Sequence, residues 1–412
     1  VVLIPGSLRI CIVTLTPKSK KKLFHSFKIY YWQFFGNKIY FQQSVFKAGK
    51  EYGITLEVSM HGQPISLEDF GIRKSNLKLP KIYNVGDFFD ENSSNPKNFE
   101  KEFKNFDAVT VAIPDHNHAV VGMEAMQLRK HLYLQKPLAH DIYEARRLTE
   151  VATEYEIVAQ MGDQGASCDG MRTLQEWMDA SLIGDVTKVY CWTNRPVWPQ
   201  GIAWPKQTAA IPKELNWDLW LGTAPQTNYI NNLVPFNWRG WWRFGTGALG
   251  DMGCHIMGPP FKLLQLGYPT QVSGSASTLY TGVFQEAAFP ESGPVASNLL
   301  FTFSQPNGKQ LELVWMDGGI IPERLAALEP GLNMNEALGD WPGENDFEGA
   351  TLFIGTKGMI SCGWGGSHPR VLTPALKEKA MEIQAKYPRV KGGADGHWWQ
   401  WIDRSEEHTS EL

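Results

Sequence analysis

From about Leu79 onward, short apolar runs alternate with longer amphipathic ones. FDAVTVAIP (Phe106 to Pro114) is almost unbroken in its apolar character, which suits a strand covered on both faces. HAVVGMEAMQLRK comes next, with Val120, Met123 and Leu128 forming a rough helical stripe. HLYLQKP (His131 to Pro137) predicts a second short strand. DIYEARRLTEVATEYE predicts a helix capped by Asp141, with Ala145, Leu148 and Ala152 on one face. IVAQMG (Ile157 to Gly162) predicts a third strand. Strands and helices alternating at this spacing imply a parallel sheet with right-handed crossovers, half of a doubly wound domain.

After Gly162 the alternation stops. GMRTLQEWMDASLIG reads as one helix ending at Gly184, and VTKVYCWTN opens a strand-rich region. LLFTFSQPNGKQLELVW turns at Asn307-Gly308 and TLFIGTKGMISCG near Lys357-Gly358, so both predict hairpins. Hairpins build antiparallel or mixed sheets, which makes this a second domain of different architecture. Among these strands, FGTGALGDMGCHIMGPPFKLLQLG predicts a Gly-rich loop entering a helix.

The two ends depart from this order. Residues 1–50 contain no Asp or Glu, and their aromatic-rich stretch FKIYYWQFFGNKIYFQQSVF follows neither period. A damaged or wrongly framed beginning accounts for this better than a basic targeting tail. The closing SEEHTSEL is polar, lacks an apolar stripe and looks like translated sequencing adapter.

At 412 residues the chain is long enough for two domains. A net charge of -4 and the lack of any basic stripe argue against a nucleic-acid partner. No apolar run approaches the ~20 residues that span a bilayer, so no membrane partner is expected. Five scattered cysteines without CxxC spacing suit reduced thiols in a cytoplasm, with a periplasmic location the alternative. Eight of the sixteen tryptophans fall between Trp192 and Trp242, a concentration that offers aromatic platforms for sugar rings or else a Trp-rich core.

Ligands of an open parallel sheet bind outside the carboxyl ends of its strands. Two such ends are polar here, Pro114-Asp115-His116-Asn117-His118 and Gln135-Lys136-Pro137. Lys136 is therefore expected in the crevice, where an ammonium stabilises developing alkoxide charge. Asp115, His116 and His118 lack a third strong partner in sequence, so a turn lining a ligand pocket is expected there and no metal site. Asp251 and His255 are four apart and would share a helix face. A place near that helix's N-terminus would keep His255 a neutral base, with Asp251 orienting it or holding a hydroxyl.

With these pieces assembled, residues from about Leu79 to Asp403 resemble the Gfo/Idh/MocA family, the glucose–fructose oxidoreductase and inositol dehydrogenase group. The likeness rests on DAVTVAIPDHNHA, KHLYLQKPLAHDIYEAR, AQMGDQGAS and GTGALGDMGCHIM. Gln135 stands where the family usually has Glu before Lys-Pro. The resemblance implies an α/β chain: an N-terminal Rossmann-like parallel sheet whose first βα unit is atypical, plus a C-terminal α+β domain with an open, mostly antiparallel mixed sheet. Its implied boundaries are an aberrant segment at 1–78, the rest of the dinucleotide-binding domain at 79–163, a substrate and oligomerisation domain at 164–403, and a non-native tail at 404–412.

The resemblance further implies NAD or NADP as cofactor and a sugar, inositol or related polyol as substrate. Hydride would leave a hydroxyl carbon while His255 takes the hydroxyl proton and Lys136 supports the oxyanion, with Asp251 completing the catalytic set. Pro114, Asp115, His116, His118, Gln135, Lys136 and Gln164 would line the cofactor site. Arg195, Trp198, Arg239 and Trp241 would shape the substrate site, and a homo-oligomer would form through the C-terminal sheet. An NAD-dependent glycoside hydrolase or lyase of the same fold, and a carbohydrate-binding protein without cofactor, are the alternatives. One departure is large: RICIVTL runs into Thr16-Pro17-Lys18, and no GxGxxG follows to let a pyrophosphate approach a helix N-terminus.

Overall fold

The computed structural model describes residues 10–13, 58–60, 63–65, 107–213, 215–287, 289–305, 308–323 and 349–410. The chain divides into two compact units, residues 1–106 with 211–220, and residues 107–210 with 221–412. In the first unit, strand β1 (Ile10–Val13) falls within RICIVTL, and β2 (Val58–Met60) pairs antiparallel with β3 (Gln63–Ile65). Trp217 and Trp220 of the same unit stack with ring centroids 5.0 Å apart. The positions after Val13, where a phosphate-binding turn would belong, lie outside the described residues.

The second unit begins with β4 (Ala108–Val111), α1 (His118–Gln127), β5 (His131–Gln135), α2 (Ile142–Glu154) and β6 (Ala159–Gly162). The three strands run parallel, with Val109 opposite Leu132 and Leu134 opposite Met161. All four residues of β4 are buried, as a strand covered on both faces requires. Gly122 lets α1 sit close on the sheet, since a Cβ there would lie 3.2 Å from both Leu132 and Leu134. Asp141 caps α2 by accepting from the Glu144 N–H at 2.8 Å, a bond worth about 1 kcal/mol.

The next helix, α3 (Asp169–Asp179), is shorter than the pattern suggested. Ser181 adopts φ 50°, and the Leu182 N–H folds back onto the Trp177 carbonyl, which ends the helix before Gly184. Then come β7 (Val186–Thr193), α4 (Gly247–Ile256), α5 (Gly258–Leu263), β8 (Gln271–Ala276), β9 (Leu279–Gly282), β10 (Gln285–Ala287), β11 (Ser297–Ser304), β12 (Gln310–Met316), β13 (Gly349–Gly355), β14 (Met359–Gly363), β15 (Arg370–Val371) and α6 (Gly396–Ser410). Seven strands form one sheet in the order β15-β14-β13-β7-β12-β11-β8. Only β7 and β12 pair in parallel; the other neighbours are antiparallel. The parallel first sheet and this mixed second sheet are the α/β architecture expected.

Side chains alternate across the mixed sheet with period two. Val189, Cys191, Leu313, Trp315, Phe353 and Ile360 face a core shared with Met171, Leu174, Met252, Ile256 and Leu263 of the helices. Each such burial contributes about 2 kcal/mol against solvent exposure. That core fixes α4, and α4 carries the residues of interest. The terminal helix α6 runs past position 403 to Ser410. Trp398 stacks on Tyr133 of β5 at 3.7 Å, and the Trp401 indole N–H donates to the Val158 carbonyl at 3.2 Å. No helix among the described residues is long and apolar enough to cross a membrane.

Candidate active site

The strand ends of the parallel sheet and the helix α4 meet within the second unit. Lys136 leaves the end of β5 and reaches α4, where its Nζ donates to Asp251 Oδ1 and to the Asp251 carbonyl, each at 2.9 Å. Arg239 Nε donates to the same Oδ1 at 3.3 Å. The three side chains are 12–25% exposed, so their charges interact through little intervening water. Burial opposes charge on both members of the pair. For Asp251, Lys136 and Arg239 outweigh it and hold the carboxyl below its usual range. For Lys136, Asp251 outweighs it and keeps the amine above the usual lysine range. Lys136 is thus an ammonium at neutral pH, a donor and a charge but not a base.

His255 lies in the last turn of α4, not near its start, so the dipole argument for a neutral imidazole does not apply. Asp251 does share the helix with it, one turn away. Yet Asp251 is engaged by two cations, and the carboxylate at the imidazole is Asp163. Asp163 Oδ1 stands 2.6 Å from His255 Nδ1, with both side chains close to buried. Trp364 presents its ring edge-on to the imidazole at 5.1 Å. The turn after β6, Gln164–Ser167, lies backbone to backbone on residues 364–366: a Cβ on Gly165 would come within 2.8 Å of the Gly365 Cα. Bare glycine is what permits that approach.

The turn after β4 is buried. Asp115 is 4% exposed and accepts from Thr246 Oγ1 at 2.9 Å. Burial pushes its carboxyl up to about 7, with Thr246 and the charges of Arg239 and Lys136 pulling the other way. Pro114 is buried too, and both ring nitrogens of His116 meet backbone carbonyls, those of Phe244 and Leu221. His118 sits between the carbonyls of Pro137 and Ile113, each 2.7 Å from a ring nitrogen. Burial drives His118 down to about 4, although those two carbonyls favour its cation. His116 thus ties the turn to the 221–246 segment, and His118 ties it to the end of β5.

The structure thus brings Lys136, Asp251, Arg239 and Asp115 into one charged cluster, with His255 on the same helix as Asp251. Gln135 and Gln164 are half-buried at the ends of β5 and β6; Gln164 Nε2 donates to the Tyr133 hydroxyl at 3.1 Å. Trp198 and Trp241 are spent on packing, at 5% and 2% exposed, with their rings edge-on to Phe236 and Trp204. Arg195 donates to Asn194 Oδ1 at 2.6 Å. Sequence pattern alone does not single out Asp163, Thr246 or Trp364. For Asp163 a signal exists in AQMGDQGAS, an acidic residue just past a strand end, but helix spacing favours Asp251 as the partner of His255.

The donor set fits the nicotinamide end of a dinucleotide. Gln135, Lys136 and Gln164 stand half-open at the carboxyl ends of adjacent parallel strands, where two amides and an ammonium meet the needs of a carboxamide and a reacting oxygen. Among the described residues no group of three or more His, Cys, Asp or Glu side chains could hold a metal.

Two family models match. The Gfo/Idh/MocA model described as oxidoreductase family, NAD-binding Rossmann fold, matches residues 79–163. The model described as oxidoreductase family, C-terminal alpha/beta domain, matches residues 179–274. An uncharacterized oxidoreductase of Streptococcus pneumoniae is 27% identical over 103 residues, 24% of this chain and 28% of that protein. This chain therefore matches under a third of the length of that relative. Among solved structures, the WlbA dehydrogenase of Bordetella pertussis, in complex with NADH and UDP-GlcNAcA, is 14% identical, with 81% of this chain and 75% of that chain covered at a TM-score of 0.42. An oxidoreductase of Sinorhizobium meliloti is 15% identical, with 82% and 75% covered at a TM-score of 0.40.

Proposed function

We propose that this chain, which matches the NAD-binding Rossmann and C-terminal domain models of the Gfo/Idh/MocA oxidoreductases, uses NAD to oxidise a hydroxyl carbon of a sugar, inositol or related polyol. The observation that carries the reading is the Lys136–Asp251 contact at 2.9 Å, one helical turn from His255. It ties an ammonium at a strand end to the helix that carries the imidazole one turn further on.

Bound NAD supplies the hydride acceptor. The chain's own residues do the rest. Gln135 and Gln164 would hold the carboxamide, with the buried turn Pro114, Asp115, His116 and His118 supporting the pocket. Lys136 donates to the substrate oxygen and stabilises the alkoxide as its proton leaves, which a preorganised cation does best away from bulk water. His255 accepts that proton. Arg239, already bound to Asp251, orients a neighbouring hydroxyl, since a polyol offers two adjacent oxygens to a planar donor.

With NAD at saturating concentration, Lys136→Ala and His255→Ala should each lower turnover by ~10²-fold or more, read as NADH absorbance with a panel of polyols. Near-normal rates in both variants would remove these residues from the mechanism. Glycoside cleavage without net NADH formation would favour a hydrolase instead.

The exposed edge of the mixed sheet supports a homo-oligomer. Strand β8 is exposed throughout, and the β9–β10 hairpin carries Val283 and Phe284 at 86% and 95% exposed. Sedimentation should therefore give a mass above the monomer, and a strictly monomeric chain would refute that assembly.

A further inference from the structure

We propose that Asp163 is the positioning residue of His255, fixing the imidazole as the tautomer whose Nε2 bears the lone pair. The inference rests on the reading of His255 as the base and assigns the group that prepares it. An ionised carboxylate has only acceptors, so a contact of 2.6 Å between Asp163 Oδ1 and His255 Nδ1 requires the proton on Nδ1. In the tautomer with that proton the lone pair sits on Nε2, the nitrogen left to take a proton.

Asp251, four residues before His255, does not perform this task. Its Oδ1 already accepts from Lys136 Nζ at 2.9 Å and Arg239 Nε at 3.3 Å. Two acids therefore divide the work, Asp251 gathering the cations and Asp163 orienting the imidazole. The position of Asp163 supports the division. It precedes the turn Gln164–Ser167, where an Asp ordinarily caps the backbone with its side chain, yet it makes no such capping bond. The carboxylate is turned across to α4 instead, 92 residues along the chain. Trp364, edge-on at 5.1 Å, restricts the ring from a third side.

The test uses the full chain labelled with 15N-histidine, and long-range proton–nitrogen correlation of the imidazoles, with His255→Gln identifying the His255 signals. In the wild type, Nδ1 should be the protonated, pyrrole-type nitrogen and Nε2 the pyridine-type one. In Asp163→Ala that preference should be lost, and kcat should fall ~10²-fold with KM changed by less than ~3-fold, the pattern of a wrongly presented base. A wild-type ring protonated on Nε2 overturns the proposal, whether or not the variant folds. So does an Asp163→Ala chain that keeps the wild-type tautomer. A wild type with the expected tautomer but no polyol oxidation leaves the positioning intact and overturns only the oxidoreductase reading.

Discussion

Asp115 should destabilise the protein it serves, and replacing it with Asn should strengthen the fold only where the carboxylate would ionise. The residue is 4% exposed, and burial raises its carboxyl from an ordinary 3.8 to about 7. At acid pH below 3.8 the group is protonated in both folded and unfolded chains and has no effect on their balance. As pH rises from 3.8 towards 7, the unfolded chain ionises while the folded one stays neutral, so stability drains away. Above about 7 both are ionised and the loss is constant. Over that window, ~1.36 kcal/mol per pH step gives a ceiling of about 4 kcal/mol. Asparagine retains an oxygen to accept from Thr246 Oγ1, which now donates at 2.9 Å, and has no charge to bury. The raised value already includes the attraction of Lys136 and Arg239, so only the imperfect fit of the amide reduces that ceiling, and the net gain at pH 8 should be about 1–3 kcal/mol. Urea unfolding at pH 5 and pH 8 reads the difference. The gain must grow between them, by roughly 1–2 kcal/mol. A gain that is equal at both values, or a loss at pH 8, refutes the reasoning.

Glu176 accepts from Arg389 at 2.7 and 2.9 Å and from the Lys386 and Tyr387 N–H groups, and Arg389 above all holds its carboxyl down to about 2 from an ordinary 4.5. Its stabilisation is complete above about 4.5 and disappears as pH falls towards 2. Arg389→Met should therefore cost about 1–3 kcal/mol at pH 7 and next to nothing near pH 2, again by urea unfolding, with a pH-independent cost as the disproof. Gly165→Ala would push a methyl to 2.8 Å from the Gly365 Cα and should lower the melting temperature by several degrees, equivalent to about 1–3 kcal/mol; an unchanged melt would show that the turn yields. The chain as given should bind NAD weakly, because no glycine array follows RICIVTL to admit a pyrophosphate. Micromolar affinity by calorimetric titration would contradict that.

Local pattern made the strands and helices of the second unit legible. Continuous apolar runs gave β4 and β5, and one acidic cap placed the start of α2. Lys136 was legible too, because Pro137 fixes where the strand ends and the residue before it must face the crevice. The partnership of His255 was not. Helix periodicity proposed Asp251, which does share the face, but spacing says nothing of which cations reach that carboxylate from elsewhere in the chain. Asp163 approaches from 92 residues away, and no period records a contact of that range. The burial of the tryptophans was not legible for another reason. Composition shows that Trp198 and Trp241 are present, but whether a ring is a platform or packing depends on what covers it, here Phe236 and Trp204.

At the seam between Gly165 and Gly365 a Cβ on Gly165 would meet the Gly365 Cα first, at 2.8 Å, with the Trp364 ring behind it at 3.5 Å. Two main-chain segments rest on each other, one next to Asp163 and the other next to Trp364. The approach of these two segments is limited by contact between α-carbons. On the reading of His255 as the base, changes of substrate preference come from the segments that approach it from other directions. A mutagenesis library aimed at new substrates gains nothing by varying these two glycines, and by leaving them alone it preserves the ruler against which every other change is measured.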